Sequence, residues 1–353
     1  MSTFDRLSGL AVEVDGYTLE GLRADVSSGF ERLSTVVHLH GGGTAGIGED
    51  VVYSADDQRA LQAAGPVHDL SGRWSLGDLC ERIDGLDLFP VEPEHGDVSR
   101  LYRRWTFQSA ALDLALRQAG RPLHDMLGRD PRPLTFVVSL RLGEPATLAP
   151  LRSRLEHYPR LRFKLDATSS WTAELIAELV ATGAVDSVDF KALYHGTVVD
   201  QAADPGLYAR VVEAFPDAWL EDPDVVTEAT AAVLAAEHHR ITWDAPIHSV
   251  ADIEALPFPP RMVNLKPSRI GGLARLCDTY DYCAAHRIGA YGGGQFELGP
   301  GRGQAQYLAA VFHPDTPNDL APLGYNENHP GPGLPASPLA VAAEPVGFRW
   351  TTA

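Results

Sequence analysis

From Phe136 onward the chain repeats one pattern: a short apolar run, then an amphipathic stretch, every two to three dozen residues. The apolar runs are Phe136–Leu142, Leu161–Ala167, Val185–Ala192, Ala218–Glu221, Ile241–Asp244, Met262–Lys266 and Ile288–Tyr291. The stretches between them include Leu148–Tyr158, Thr172–Ala181, Leu207–Phe215 and Leu273–His286. The runs read as strands and the amphipathic stretches as helices. A strand that reaches its neighbour through a helix lies parallel to it, so the repeat builds parallel βα units. Seven clear strands and a weak eighth near Asp319–Leu323, preceded by a helix at Gly303–Phe312, predict an α/β chain whose sheet closes into a (β/α) TIM-type barrel.

The chain has 353 residues, enough for a barrel plus a smaller domain. The first part reads as a sheet followed by helices. Leu10–Val14, Tyr17–Arg23 and Ser34–Leu39 have strand character, and Glu49–Tyr53 follows a Gly-rich turn. Asp56–Ala64, Leu76–Ile83 and Arg100–Ala119 read as helices, and Pro122–Arg132 as a short turn of helix and a linker. The expected division is 1–132 for this domain, 133–323 for the barrel, and 324–353 for a Pro- and Gly-rich tail returning to the first domain.

Acidic residues number 47 against 29 Lys plus Arg, a formal net charge of −18. Such a chain is a poor partner for nucleic-acid phosphates or an anionic membrane surface. No apolar run approaches the roughly 18 residues of a membrane helix. The start, MSTFDRLSGLAVEVDG, lacks the charged-then-apolar pattern of a signal peptide. Cys80, Cys277 and Cys283 show no metal or redox spacing. The expectation is a cytoplasmic protein acting on a small molecule.

Only three of the 29 basic residues are lysines: Lys164, Lys191 and Lys266. All three fall at or near expected strand ends, where barrels carry their chemistry. Acids fall there too. The third strand carries Asp189-Phe-Lys191, the fourth Trp219-Leu-Glu221-Asp222-Pro223, the fifth Thr242-Trp-Asp244, and the sixth Asn264-Leu-Lys266. Asp189, Glu221 and Asp244 on adjacent strands would repel one another unless a cation lies between them. All-oxygen ligands suit Mg²⁺, with Mn²⁺ next. Lys164 and Lys266 flank that site from strands on either side. A carboxylate substrate held at such a metal has its α-proton acidified, and a lysine beside other cations gives up its proton more readily. The lysines are therefore candidates for base and acid, or for base and stabiliser of the developing anion.

The residues resemble the enolase superfamily along nearly the whole chain. Gly46-Ile-Gly48-Glu49 is similar to its G-x-G-E turn, and Ser109–Leu114 with Arg121–Gly128 to the helix and exit of its capping domain. Trp219–Pro223 and Val263–Gly272 resemble its fourth- and sixth-strand motifs. The paired lysines resemble the muconate-lactonizing subgroup of the mandelate racemase/muconate-lactonizing enzyme family. The resemblance implies a modified (β/α)7β barrel with an N-terminal α+β capping domain, in a homo-oligomer. It also implies a Mg²⁺-dependent isomerase or lyase with a Lys base. The outcome would be elimination or cycloisomerisation of a carboxylate; N-acylamino acid racemisation and dipeptide epimerisation are alternatives, as is a silent barrel that binds an acidic ligand without turnover.

The chain departs from that pattern in two places. Arg162-Phe-Lys164 stands where the family writes Lys-x-Lys, and Asp189-Phe-Lys191 where it writes Asp-x-Asn. Asp166, in Asp166-Ala-Thr-Ser-Ser-Trp171, is an alternative first ligand, although strand counting favours Asp189. Lys191 would neutralise part of the ligand cluster or bind a substrate carboxylate. Other candidates for substrate contact are Arg162, Asn264, Gly293 and Glu297. Asp222 reads as a support for the ligands and Arg269 as a brace for the sixth-strand loop. His38-Leu-His40 has no partner cluster and reads as packing. Ala24–Glu31 and Asp50–Ala55 correspond in order to the loops that would close the site.

Overall fold

The structure is a computed structural model that describes residues 1–25, 31–89, 92–197 and 199–351. Its N-terminal sheet has three antiparallel strands, β2 (Gly16–Asp25), β3 (Glu31–Gly41) and β4 (Thr44–Asp50). Residues 26–30 of the Ala24–Glu31 loop lie outside the described residues. A two-residue turn joins β3 to β4 through Gly42 and Gly43, both at positive φ, which is the geometry that matches hairpin twist. A separate two-stranded ribbon pairs β1 (Ala11–Val14) with β5 (Gly72–Ser75).

The Gly96–Ala119 helix lies against β4 at backbone contact. A Cβ on Gly46 would fall 2.1 Å from the Ala110 carbonyl oxygen, and one on Gly48 2.0 Å from that of Thr106. This close approach corrects one expectation. The strand expected at Glu49–Tyr53 begins instead at Thr44 and includes both glycines, because they face the helix rather than forming the turn.

The barrel strands are β6 (Val138–Arg141), β7 (Phe163–Asp166), β8 (Val185–Asp189), β9 (Trp219–Glu221), β10 (Ile241–Trp243), β11 (Met262–Asn264) and β12 (Gly289–Tyr291). Each is parallel to the next in chain order, and helices cover them from outside. Val138, Phe163, Leu165, Val188, Leu220, Ile241 and Val263 are buried, as strands covered on both faces require. All seven expected strands are present. The weak eighth is shorter than expected: only Asn318 and Asp319 bridge, Asn318 to Phe136 and Asp319 to Gly293, both parallel. They close the gap between β12 and β6. Pro317 and Pro322 bracket them and lack the N–H groups a longer ladder needs.

The tail crosses back under the barrel, pairing Leu339 with Leu134. It then reaches the Gly96–Ala119 helix, where Asp113 accepts from the Phe348 amide at 2.8 Å and from Arg349 Nε at 2.7 Å. A second clasp joins the N-terminal sheet to the barrel. The buried Glu49 carboxylate accepts the amides of Leu298, Gly299 and Gly301 at 2.6, 3.0 and 2.9 Å, at the start of the Pro300–Phe312 helix. Carboxylates are stabilised there by unpaired N–H groups and the helix dipole.

Candidate active site

Strand register brings the site together. Asp166, Asp189 and Glu221 end β7, β8 and β9 and are lateral neighbours in that order. Asp244 follows β10 by one residue and Lys266 follows β11 by two. Asp189, Glu221, Asp222 and Asp244 are all fully buried, and Lys164 is 2 % exposed.

Two groupings form at this rim. On the β7–β9 side, Lys164 Nζ donates to Glu221 and lies 3.1 Å from Asp189 Oδ2 and 3.6 Å from Asp319. Lys191 Nζ donates to Asp189, lies 3.7 Å from Asp166 Oδ1, and stands 4.8 Å from the centre of the Tyr194 ring. Tyr291 hydroxyl donates to the other Glu221 oxygen. On the β10–β11 side, Asp244 Oδ2 accepts from Lys266 Nζ at 2.8 Å and from Tyr194 hydroxyl at 2.7 Å. Its Oδ1 accepts from Arg269 Nη1 at 2.5 Å. Arg269, expected to brace a loop, thus acts directly on a site carboxylate.

These contacts set the protonation preferences. Burial alone would lower Lys164, but the Glu221 and Asp189 carboxylates override it and hold the ammonium well above its ordinary range. Lys266 goes the other way: burial lowers it, Arg269 adds like-charge repulsion, and Asp244 only partly opposes them. Asp244 is held well below the carboxylate range because Arg269 and Lys266 outweigh its burial. Asp189 is likewise held low against burial by Lys191 and Lys164. Asp222 is pushed up to about 7, chiefly by burial and then by Asp244 and Asp189.

Carboxylate oxygens of Asp189, Glu221 and Asp222 all lie within 4.8 Å of one another. A buried, all-oxygen, multiply anionic donor set fits a hard divalent cation of the Mg²⁺ type. Asp244, the third acid expected in such a set, lies outside that grouping and is engaged by its cations. Asp222 has a further task. Its two oxygens accept the Asp244 and Ala245 amides, each at 2.8 Å, and so shape the end of β10.

The remaining candidates divide. Asn264 is 1 % exposed, and neither polar atom of its side chain has a partner. Gly293 packs on the base of the site: a Cβ there would fall 2.4 Å from Lys266 Cε and 2.8 Å from Asn264 Nδ2. Asp166 stands two strands from Glu221, near Lys191 and, at 3.6 Å, Arg141. Arg162 is not brought into the cluster. It precedes β7 at the opposite end of the strand and binds Asp186 and the Gly183 carbonyl. Glu297 is also held elsewhere, by the Gln295 amide at 2.8 Å and Arg302 at 3.2 Å. His38 and His40 pair with Glu20 and Thr18 on the N-terminal sheet. Tyr194 and Tyr291 were not singled out in the sequence. Their rings read as core, and only a search for neutral donors at strand ends would have found them.

The chain matches both parts of one family, described as a domain of unknown function (DUF8230): its N-terminal domain over residues 5–126 and its C-terminal domain over 130–327. The chain belongs to the DUF8230 family. Its fold is that of solved enolase-superfamily structures, as the motifs implied. A magnesium-bound enolase-superfamily member from Roseovarius nubinhibens superposes with a TM-score of 0.68 at 18 % identity, covering 97 % of this chain and 96 % of that one. An o-succinylbenzoate synthase from Geobacillus stearothermophilus is 28 % identical over 61 % of this chain. An N-succinylamino acid racemase from an Amycolatopsis species is 28 % identical over 61 % as well. The matched stretches span 57 % and 58 % of those relatives' own lengths, less than two thirds. No helix among the described residues is long and apolar enough to cross a membrane.

Proposed function

We propose that this DUF8230 protein is an enzyme that removes the proton α to a substrate carboxylate. One observation carries the reading: Lys164 and Lys266 enter the mouth from β7 and from beyond β11, with the acid-bearing strands β8, β9 and β10 between them. Asp189, Glu221 and Asp244 are the proposed holders of a divalent ion. Asp244 is preferred to Asp222 because its carboxylate accepts only from side chains, whereas both Asp222 oxygens accept backbone amides. The bound ion would supply positive charge that draws in the substrate carboxylate and acidifies the neighbouring C–H.

The two lysines differ in company. Lys164 faces Glu221, Asp189 and Asp319, and this excess of negative charge keeps its proton in place. Lys266 faces one carboxylate that it shares with Arg269. Lys266 Nζ is therefore the proposed base. Lys164 Nζ is the cation that steadies the developing negative charge or returns a proton from the opposite face. Asn264, with both polar atoms unpartnered, is the proposed hydrogen-bonding contact to substrate.

Elimination or cycloisomerisation is the favoured outcome. Racemisation is the second reading, supported by the racemase relative and by lysines on both sides of the site. Incubation in deuterated water with a carboxylate library, including succinyl-bearing acids and amides, tests the proposal by NMR or mass spectrometry. Deuterium uptake at one α-carbon, dependent on Mg²⁺, is expected. Mg²⁺ binding without exchange across the library would replace the enzyme reading with that of a barrel that only binds an acidic ligand.

A further inference from the structure

Lys191 is the residue the family pattern leaves unexplained, and its geometry is unusual. It is not glycine, yet its φ is 54°, a left-handed conformation that suits Asn better than Lys. That conformation folds the chain back on Asp189. The Lys191 amide donates to Asp189 Oδ1 at 3.0 Å while Nζ donates to Oδ2. One residue thus engages both oxygens of a proposed metal ligand. A second perch lies beside it: Asp166 Oδ1 is 3.7 Å from Nζ and has no hydrogen-bond partner. The Tyr194 ring faces the same ammonium.

A magnesium ion needs its carboxylate oxygens at about 2.0–2.1 Å. An ammonium hydrogen-bonded to the same oxygen would then lie within a few ångströms of a dication, with little water between. We propose that Lys191 is a built-in competitor for the metal site: its ammonium occupies Asp189 in the metal-free protein and moves toward Asp166 when a divalent cation enters. The inference rests on the proposed metal site and adds to it a control on how tightly that site loads.

Calorimetric titration of the purified full chain with MgCl₂, and with MnCl₂ followed by electron paramagnetic resonance, tests it without any substrate. Lys191→Met and Lys191→Asn remove the charge, and each is expected to tighten Mg²⁺ binding by about tenfold or more. Lys191→Arg keeps the charge and stays within about threefold of the parent protein. Asp166→Asn removes the second perch and weakens binding. Equal or weaker affinity in both neutral variants, with folding verified by circular dichroism, overturns the role of Lys191 while leaving the metal site standing. Failure of the parent and every variant to take up either ion overturns the metal site and this inference with it.

Discussion

On the β7–β9 side of the barrel mouth, Asp166, Asp189 and Glu221 share two ammonium groups, those of Lys164 and Lys191. On the β10–β11 side, the single carboxylate of Asp244 is shared by an ammonium, a guanidinium and a phenol. Both sides are buried, and both use the same few residue types. The ratio of acids to cations differs, and with it the behaviour of the lysines. Lys164 is pushed up and Lys266 down, although burial acts on both in the same direction. A pair of identical side chains is thus given opposite protonation preferences by their neighbours alone.

The largest test of that asymmetry removes each lysine. Lys266→Ala should lower α-proton exchange by about 1,000-fold, within the usual range for a lost general base. Lys164→Ala should lower it too, through loss of charge stabilisation. Full exchange in Lys266→Ala would dissolve the distinction between the sides. Metal titration probes the acids. Asp244→Asn should weaken Mg²⁺ by about 100-fold and Asp222→Asn, as a support, by about tenfold. The reverse order would move the ligand set to Asp189, Glu221 and Asp222.

Gly293→Ala should disturb only the β10–β11 side, because its new Cβ meets Lys266 and Asn264. Exchange is expected to fall by about tenfold to 100-fold through misplacement, with Mg²⁺ affinity unchanged. A parallel loss of metal affinity would show that the two sides are mechanically joined. The mildest change is Tyr194→Phe. It deletes one neutral donor to Asp244 and leaves both cations in place, for a cost of about 1 kcal/mol in thermal or urea unfolding. A much larger cost would give the phenol a share in holding Asp244 comparable to that of Arg269.

The architecture of this mouth was legible because strand–helix alternation is a strong periodic signal and the scarcity of lysine drew attention to three positions. What escaped was shorter or neutral. β5 is four residues of ribbon, too few for a pattern, and the eighth barrel strand, expected at Asp319–Leu323, is cut to two bridged residues between prolines. Arg162 looked like a site residue because it stands beside Lys164 in a motif. A strand, however, separates its two ends, and that arginine belongs to the far one. Tyr194 and Tyr291 carry no charge, so reading strand ends for ions passed over them. Asp222 was visible as an acid, but its amide contacts depend on how β9 and β10 lie side by side.

The grip of Glu49 on the amides of Leu298, Gly299 and Gly301 has a consequence for anyone rebuilding this molecule. The two parts of the family meet between residues 126 and 130, which invites exchange of one N-terminal part for another. A transplanted part without an acid at that point would leave three amides and a helix start bare at the rim. Donor and recipient must therefore be chosen as matched halves of one lock, with the key on β4 and the wards at Leu298–Gly301.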